Sequence, residues 1–215
     1  YNSGLEEVEL VRIQGGTVID RTSFSSETYL SATNYVEQLG YLFVPVQGTG
    51  MLVLDEDMNE VTILDYEKYS VHYDGMGILL IESRSIDSEI EYYQYDSDLN
   101  YIGSGSFSAD GISRRILYDY TRQTVWVSFE DDTMQSYNLY TSQQGQRFKI
   151  VPDANDMDIS PDYLVVLSDK GFDTDDDGGY LGGINIVNLE TSTVKEIKLL
   201  HHHTSVSIKD DSVYV

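Results

Sequence analysis

One pattern constrains this chain more than any other feature: a short apolar run that returns about every 43 residues. It stands at residues 41–44, 77–81, 124–127 and 163–166, and again at 212–215. Each of the first four runs is followed by a second strand-like segment, at residues 50–55, 91–96, 134–139 and 183–188. A short polar turn leads to a third, at residues 60–64, 100–103, 146–150 and 193–197. One more precedes each run, at residues 34–37, 70–73, 114–118 and 156–160. These segments are rich in Tyr, Val, Ile and Thr, which fit a pleated surface, and Gly and polar residues punctuate them. Residues 26–38 hold the one helix-like spacing, with Tyr29, Leu30, Ala32, Tyr35 and Val36 able to share a face. Residues 34–37 read equally as a strand, and a strand entered from a loop is expected there.

The recurring apolar run of each unit, the second of its four strands in chain order, is apolar at successive positions, as a strand must be when both its faces are covered. A lone four-stranded sheet cannot cover both faces, but units stacked around an axis can. The expected fold is therefore all-β: a β-propeller of four-stranded antiparallel blades, with residues 1–215 as a single domain. Residues 204–215 supply two further strands and residues 8–21 another two. Joined, they would complete a fifth blade and close the ring, which hides sheet edges better than an open array. The alternative is a fragment of a larger propeller.

Charge narrows the partners. The chain carries 37 acidic and 13 basic side chains, a formal net charge of -24. Such a surface repels phosphate backbones and anionic lipid headgroups, so nucleic acid is not an expected partner. No apolar run approaches the roughly 18 residues of a membrane span, so membrane insertion is not expected either. Cations, basic partners or plain solubility in salt fit the charge. With no cysteine, disulfides, thiolate metal sites and a cysteine nucleophile are excluded. No charged-then-apolar signal segment opens the chain, and it begins without methionine, as a mature or trimmed terminus would.

The pattern of apolar strand, short turn and apolar strand ending in Asp or Asn is carried by residues 42–55 and 164–188, and more loosely by the other two units. It resembles the YVTN and LVIVD-type propeller repeats of prokaryotic surface and exported proteins. The resemblance covers nearly the whole chain. It implies the propeller fold and an extracellular, cell-surface or periplasmic setting, and it implies no activity, since propellers host binding, scaffolding and catalysis alike. The Trp-Asp dipeptide of intracellular WD repeats is absent.

The most specific local motif is residues 173–179, of the form D-x-D-x-D-G. Alternate carboxylates in a tight loop turn inward, and the glycine allows the bend, so hard oxygen ligands gather around Ca²⁺. The expected ligands are Asp173, Asp175 and Asp177 with the carbonyl of Gly179. Leu181 and Ile184 stand where such loops place their ninth- and twelfth-position acids, so the ion would be bound weakly or completed by a remote ligand. The other reading is a solvated acidic turn. His201, His202 and His203 form a second cluster, but adjacent side chains on an extended segment point in alternate directions, so at most two could share a metal. An exposed polar loop accounts for them as well.

Catalysis has thin support. Some propellers hydrolyse glycosides with paired carboxylates, for which Glu37, Asp74, Asp119 and Asp158 on the inner strands are the candidates. No G-x-S-x-G, P-loop or H-E-x-x-H motif is present. Tyr92, Tyr93, Tyr95 and Tyr101 cluster in one outer hairpin, where they either pack between blades or present rings to a partner. The expectation is a non-enzymatic binding or assembly module that recognises a protein or carbohydrate ligand, its recognition face formed by residues 173–179, 201–203 and 104–113. The alternatives are a carbohydrate-active hydrolase using the inner-strand carboxylates and a purely structural subunit.

Overall fold

A computed structural model describes residues 8–14, 17–24, 34–46, 49–65, 70–84, 88–168, 182–199, 203, 205–209 and 212–215. All of its regular structure among these residues is β. The first complete sheet runs through β3 (Asn34–Val36), β4 (Tyr41–Val46), β5 (Gly50–Leu54) and β6 (Glu60–Leu64) in chain order. The second takes β7 (Ser70–Tyr73), β8 (Gly77–Arg84), β9 (Glu89–Asp96) and β10 (Tyr101–Ser108). The third takes β11 (Ser113–Asp119), β12 (Thr124–Phe129), β13 (Thr133–Asn138) and β14 (Gln144–Lys149). The fourth takes β15 (Ala154–Ile159), β16 (Tyr163–Ser168), β17 (Gly182–Asn188) and β18 (Val194–Leu199). Each is a meander, as short connections between sequential strands favour. Residues 34–36 form the expected strand, and Glu37 opens the turn after it.

The chain divides into two compact units, one of Tyr1–Leu80 with Gln94–Ile102 and one of Ile81–Tyr93 with Gly103–Val215. In the second unit, β16 shows why its run is apolar throughout. Leu164 and Val166 pack with Trp126, Met134, Phe148 and Met157 of the neighbouring strands. The intervening Val165 and Leu167 pack with Ile184 and Val206 on the other face. These four successive side chains of β16 are fully buried, so both faces of the strand are covered there. In the first unit, Val44, Val46, Leu52 and Leu54 form one buried face, against which Leu10, Leu42 and Met58 rest.

Two expectations need correction. Where five four-stranded blades were expected, the described residues form four, and the terminal strands stand as two-stranded sheets. β1 (Val8–Gln14) pairs with β2 (Thr17–Phe24) as a two-stranded sheet, and β19 (Ser207–Lys209) pairs with β20 (Ser212–Tyr214) as another. Among the described residues there are thus four complete blades and two hairpins. Each terminal hairpin closes over a few residues, at a small entropic cost. Second, residues 104–108, expected in a loop, extend β10. Gly105 lies so close under the Tyr92 ring that a Cβ there would be 2.5 Å from the phenolic oxygen. The aromatic ring covers the glycine in the strand.

Four turns explain why the third strand of each blade ends in Asp or Asn. Asp55 accepts hydrogen bonds from the amides of Asp57 and Asn59, both at 2.9 Å. Asp96 repeats this with Asp98 (3.0 Å) and Asn100 (2.8 Å). Asn138 accepts from the amides of Tyr140 (3.2 Å) and Thr141 (2.9 Å), and Asn188 from those of Glu190 (3.1 Å) and Thr191 (2.7 Å). In each turn one residue takes positive φ: Met58 (62°), Leu99 (63°), Ser142 (57°) and Ser192 (57°). The side-chain acceptor satisfies amides that the tight turn leaves without ladder partners.

Candidate functional site

The first of these turns borders a cleft in the first unit. Arg12 on β1 and Asp57 in the turn approach to 3.6 Å, a rim pair worth little by itself. Leu10, Leu42 and Met58 supply apolar lining beside the buried face of β4 and β5. Tyr35 on β3 stands at the rim with 54% of its surface exposed. Its hydroxyl donates to Glu56 Oε1 at 3.4 Å. Glu56 also lies against Gly40, whose φ of 68° belongs to the left-handed region. A Cβ at Gly40 would be 3.0 Å from Glu56 Oε1, so glycine leaves the carboxylate its place. The cleft has a volume of about 400 Å³.

Its electrostatics follow from these neighbours. Desolvation of the phenol, then the Glu56 carboxylate, raises the Tyr35 pKa above its usual value, so the hydroxyl remains a donor. The Asn59 amide and side chain hold the Asp55 carboxyl below the usual range. Asp55 is therefore an anion occupied by the turn, while Glu56 turns toward Tyr35.

The expected calcium ligands Asp173, Asp175, Asp177 and Gly179 lie outside the described residues, as do His201 and His202. His203 is half-buried, and its carbonyl accepts from Asn155 Nδ2 at 3.4 Å. Among the described residues no group of three His, Asp or Glu side chains is placed to hold a metal.

Three of the four inner-strand acids are engaged by backbone. Asp74 Oδ1 accepts from the amides of Met76 (2.9 Å) and Gly77 (2.7 Å) and shapes the turn into β8. Buried Asp119 accepts from the amides of Thr121 (3.0 Å) and Arg122 (3.2 Å), and its other oxygen pairs with Arg122 Nη1 at 2.8 Å. Asp158 accepts from the amide of Ile208 at 2.6 Å. Its strand neighbour Asp156 accepts from Val206 at 2.7 Å, so two alternate carboxylates on β15 fasten the last hairpin. Glu37 is exposed in its turn. In the tyrosine cluster, Tyr95 is buried and meets Tyr101 edge-on at 5.7 Å, which makes this pair packing rather than a stacking platform. Sequence reasoning missed the cleft and the Asp156 clamp. The cleft gathers residues from separate elements, whereas the clamp is marked by the Asp-x-Asp alternation of residues 156–158.

No protein-family model and no curated protein matches this chain. Solved structures do. The crystal structure of BBS1N in complex with ARL6DN, soaked with mercury, superposes with a TM-score of 0.63 at 10% identity, over 95% of this chain and 65% of that one. The Neurospora crassa Pan2 WD40 domain gives 0.59 at 10% identity, over 89% and 59%. The fold is a β-propeller. The dihydro-heme d1 dehydrogenase NirN in complex with DHE gives 0.56 at 11% identity, over 94% and 44%. This propeller chain thus spans less than two thirds of the length of each of these structures. Identities this low carry the fold and no more. Among the described residues, no helix is long and apolar enough to cross a membrane.

Proposed function

We propose that this propeller is a non-enzymatic binding or assembly module of an exported protein, and that it recognises another protein. The observation that carries the reading is the cleft: an open, partly apolar recess edged by Tyr35 and Glu56. A charged rim with one exposed aromatic suits a peptide chain better than a sugar ring, which asks for flat stacking surfaces and several neutral hydrogen-bonding groups. One of the similar structures is BBS1N in complex with ARL6DN, which supports protein recognition as a use of this fold. The engagement of Asp74, Asp119 and Asp158 in turns and in the last hairpin weighs against the hydrolase reading, which needs carboxylates free to exchange protons.

The acidic surface and the repeat resemblance support the exported setting, which secretion of a tagged full-length chain from its native host would test. Calcium at Asp173, Asp175, Asp177 and Gly179 and closure of the ring by residues 8–21 with 204–215 belong to the same proposal. Binding is tested by presenting the full chain to displayed random peptides and to a glycan array, with aryl glycosides assayed in parallel. Selected peptides bind, and no glycoside is turned over. Turnover of an aryl glycoside by the full chain would establish the hydrolase, and silence on both arrays would leave the purely structural subunit.

A further inference from the structure

The chemistry of the cleft names a narrower ligand, on the reading that the chain binds protein. We infer that the cleft receives a lysine or arginine side chain presented by an extended segment of the partner. Leu10, Leu42 and Met58 offer an apolar wall to the methylene stem, which long basic side chains bury while keeping the charged head wet. At the rim the head meets the Glu56 carboxylate and the exposed ring of Tyr35, a pairing that attracts a cation both by charge and through the ring face. Glu56 is held in place on two sides, by the Tyr35 hydroxyl and by the close approach to Gly40. The cation of the cleft, Arg12, already faces Asp57, which leaves Glu56 for the ligand. The net charge of -24 adds long-range attraction for a basic partner and repels an acidic one.

The test uses the full chain and isothermal titration calorimetry with a set of peptides of equal length. One carries a single lysine in a Gly/Ser/Leu frame, one norleucine and one glutamate at the same place, and free cadaverine serves as the small-amine arm. The lysine peptide is expected to bind at least about tenfold more tightly than the norleucine peptide, and the glutamate peptide not at all. Glu56→Gln is expected to remove most of that preference, and it is an exposed change that leaves the fold intact. Tyr35→Phe keeps the ring and loses the hydroxyl that orients Glu56, so it gives a smaller loss, while Tyr35→Ala loses both. Raising salt from low to physiological strength weakens the lysine peptide and spares the norleucine peptide. Equal binding of lysine and norleucine peptides, or an unchanged preference in Glu56→Gln, overturns the cation site while peptide binding itself stands. Cadaverine binding as tightly as the peptide overturns the protein source of the cation. Failure of every peptide, including those selected by display, removes the protein-binding reading together with the inference.

Discussion

His72, on the inner strand β7, shows how position sets charge. Burial of its ring pushes its pKa down to about 4, and Nε2 lies 2.9 Å from Ser70 Oγ. The unfolded chain takes up this proton near pH 6.5, before the folded one does, so the contribution of His72 to stability is fully present above that pH and is lost between pH 6.5 and 4. Calorimetric melting from pH 7 to 5 should show a loss of the order of 1–2 kcal/mol that His72→Gln removes. Asp55, Asp96 and Asp131 work in a lower window. Their carboxyls are held below the usual range, by Asn59, by Asn100 and by Thr133 with Arg147 respectively, so their stabilisation is present above about pH 4 and is lost as the pH falls further. Arg147 is the other residue whose role depends on shape. Its guanidinium bonds Asp131 (2.8 Å), Thr133 (2.9 Å) and the Asp110 carbonyl (3.3 Å), and lies 4.9 Å from the centre of the Phe129 ring. Lysine keeps the charge and loses the planar fork. Thermal melting of Arg147→Lys should therefore show a cost of about 1–2 kcal/mol, and an unchanged melting temperature would mean the contacts contribute nothing.

At the scale of elements, the repeat made the strands legible, because an apolar run covered on both faces looks like nothing else in a chain this acidic. Fifteen of the sixteen blade strands lie where the runs placed them, within a few residues. The exception is β10, whose Gly-Ser stretch reads as a loop until Tyr92 is seen to lie over Gly105. Gly105→Ala should cost about 1–3 kcal/mol by displacing that ring, and Tyr92→Ala should make the same substitution nearly neutral; both are read from denaturant midpoints. The turns were half legible. Their terminal Asp or Asn is visible in the sequence, but the left-handed residues Met58 and Leu99 are not, since no glycine or asparagine marks them. Leu99→Gly should be neutral or stabilising by up to about 1 kcal/mol, while Asn188→Ala should lose about 1–2 kcal/mol with the two amides it accepts. The inner-strand acids taken as catalytic candidates follow the same logic. Asp74 follows the last residue of β7 and Asp119 is the last of β11, and each begins a turn, where a carboxylate accepting amides is a structural device before it is a chemical one.

At the scale of the whole molecule, the propeller and its charge were readable from repeats and composition, and the cleft was not. Leu10, Tyr35 and Glu56 come from three separate elements, and no spacing in the chain announces their meeting. The calcium proposal is tested by melting the chain in millimolar Ca²⁺. A rise in melting temperature that Asp175→Ala abolishes supports it, and no rise reduces residues 173–179 to an acidic turn. Ring closure is open to disulfide trapping, because the chain has no cysteine of its own. Single cysteines placed in β1 and β20 should cross-link within one molecule, and cross-linking only between molecules would support a fragment of a larger propeller. The most direct measurement of the central claim, protein recognition through the cleft, is hydrogen–deuterium exchange of the full chain with and without a saturating lysine-bearing peptide. Slowed exchange in β1, in residues 35–40 and in the turn at residues 55–59, with the rest of the chain unchanged, is the predicted result. Slowing elsewhere, with those three segments unaffected, would contradict it.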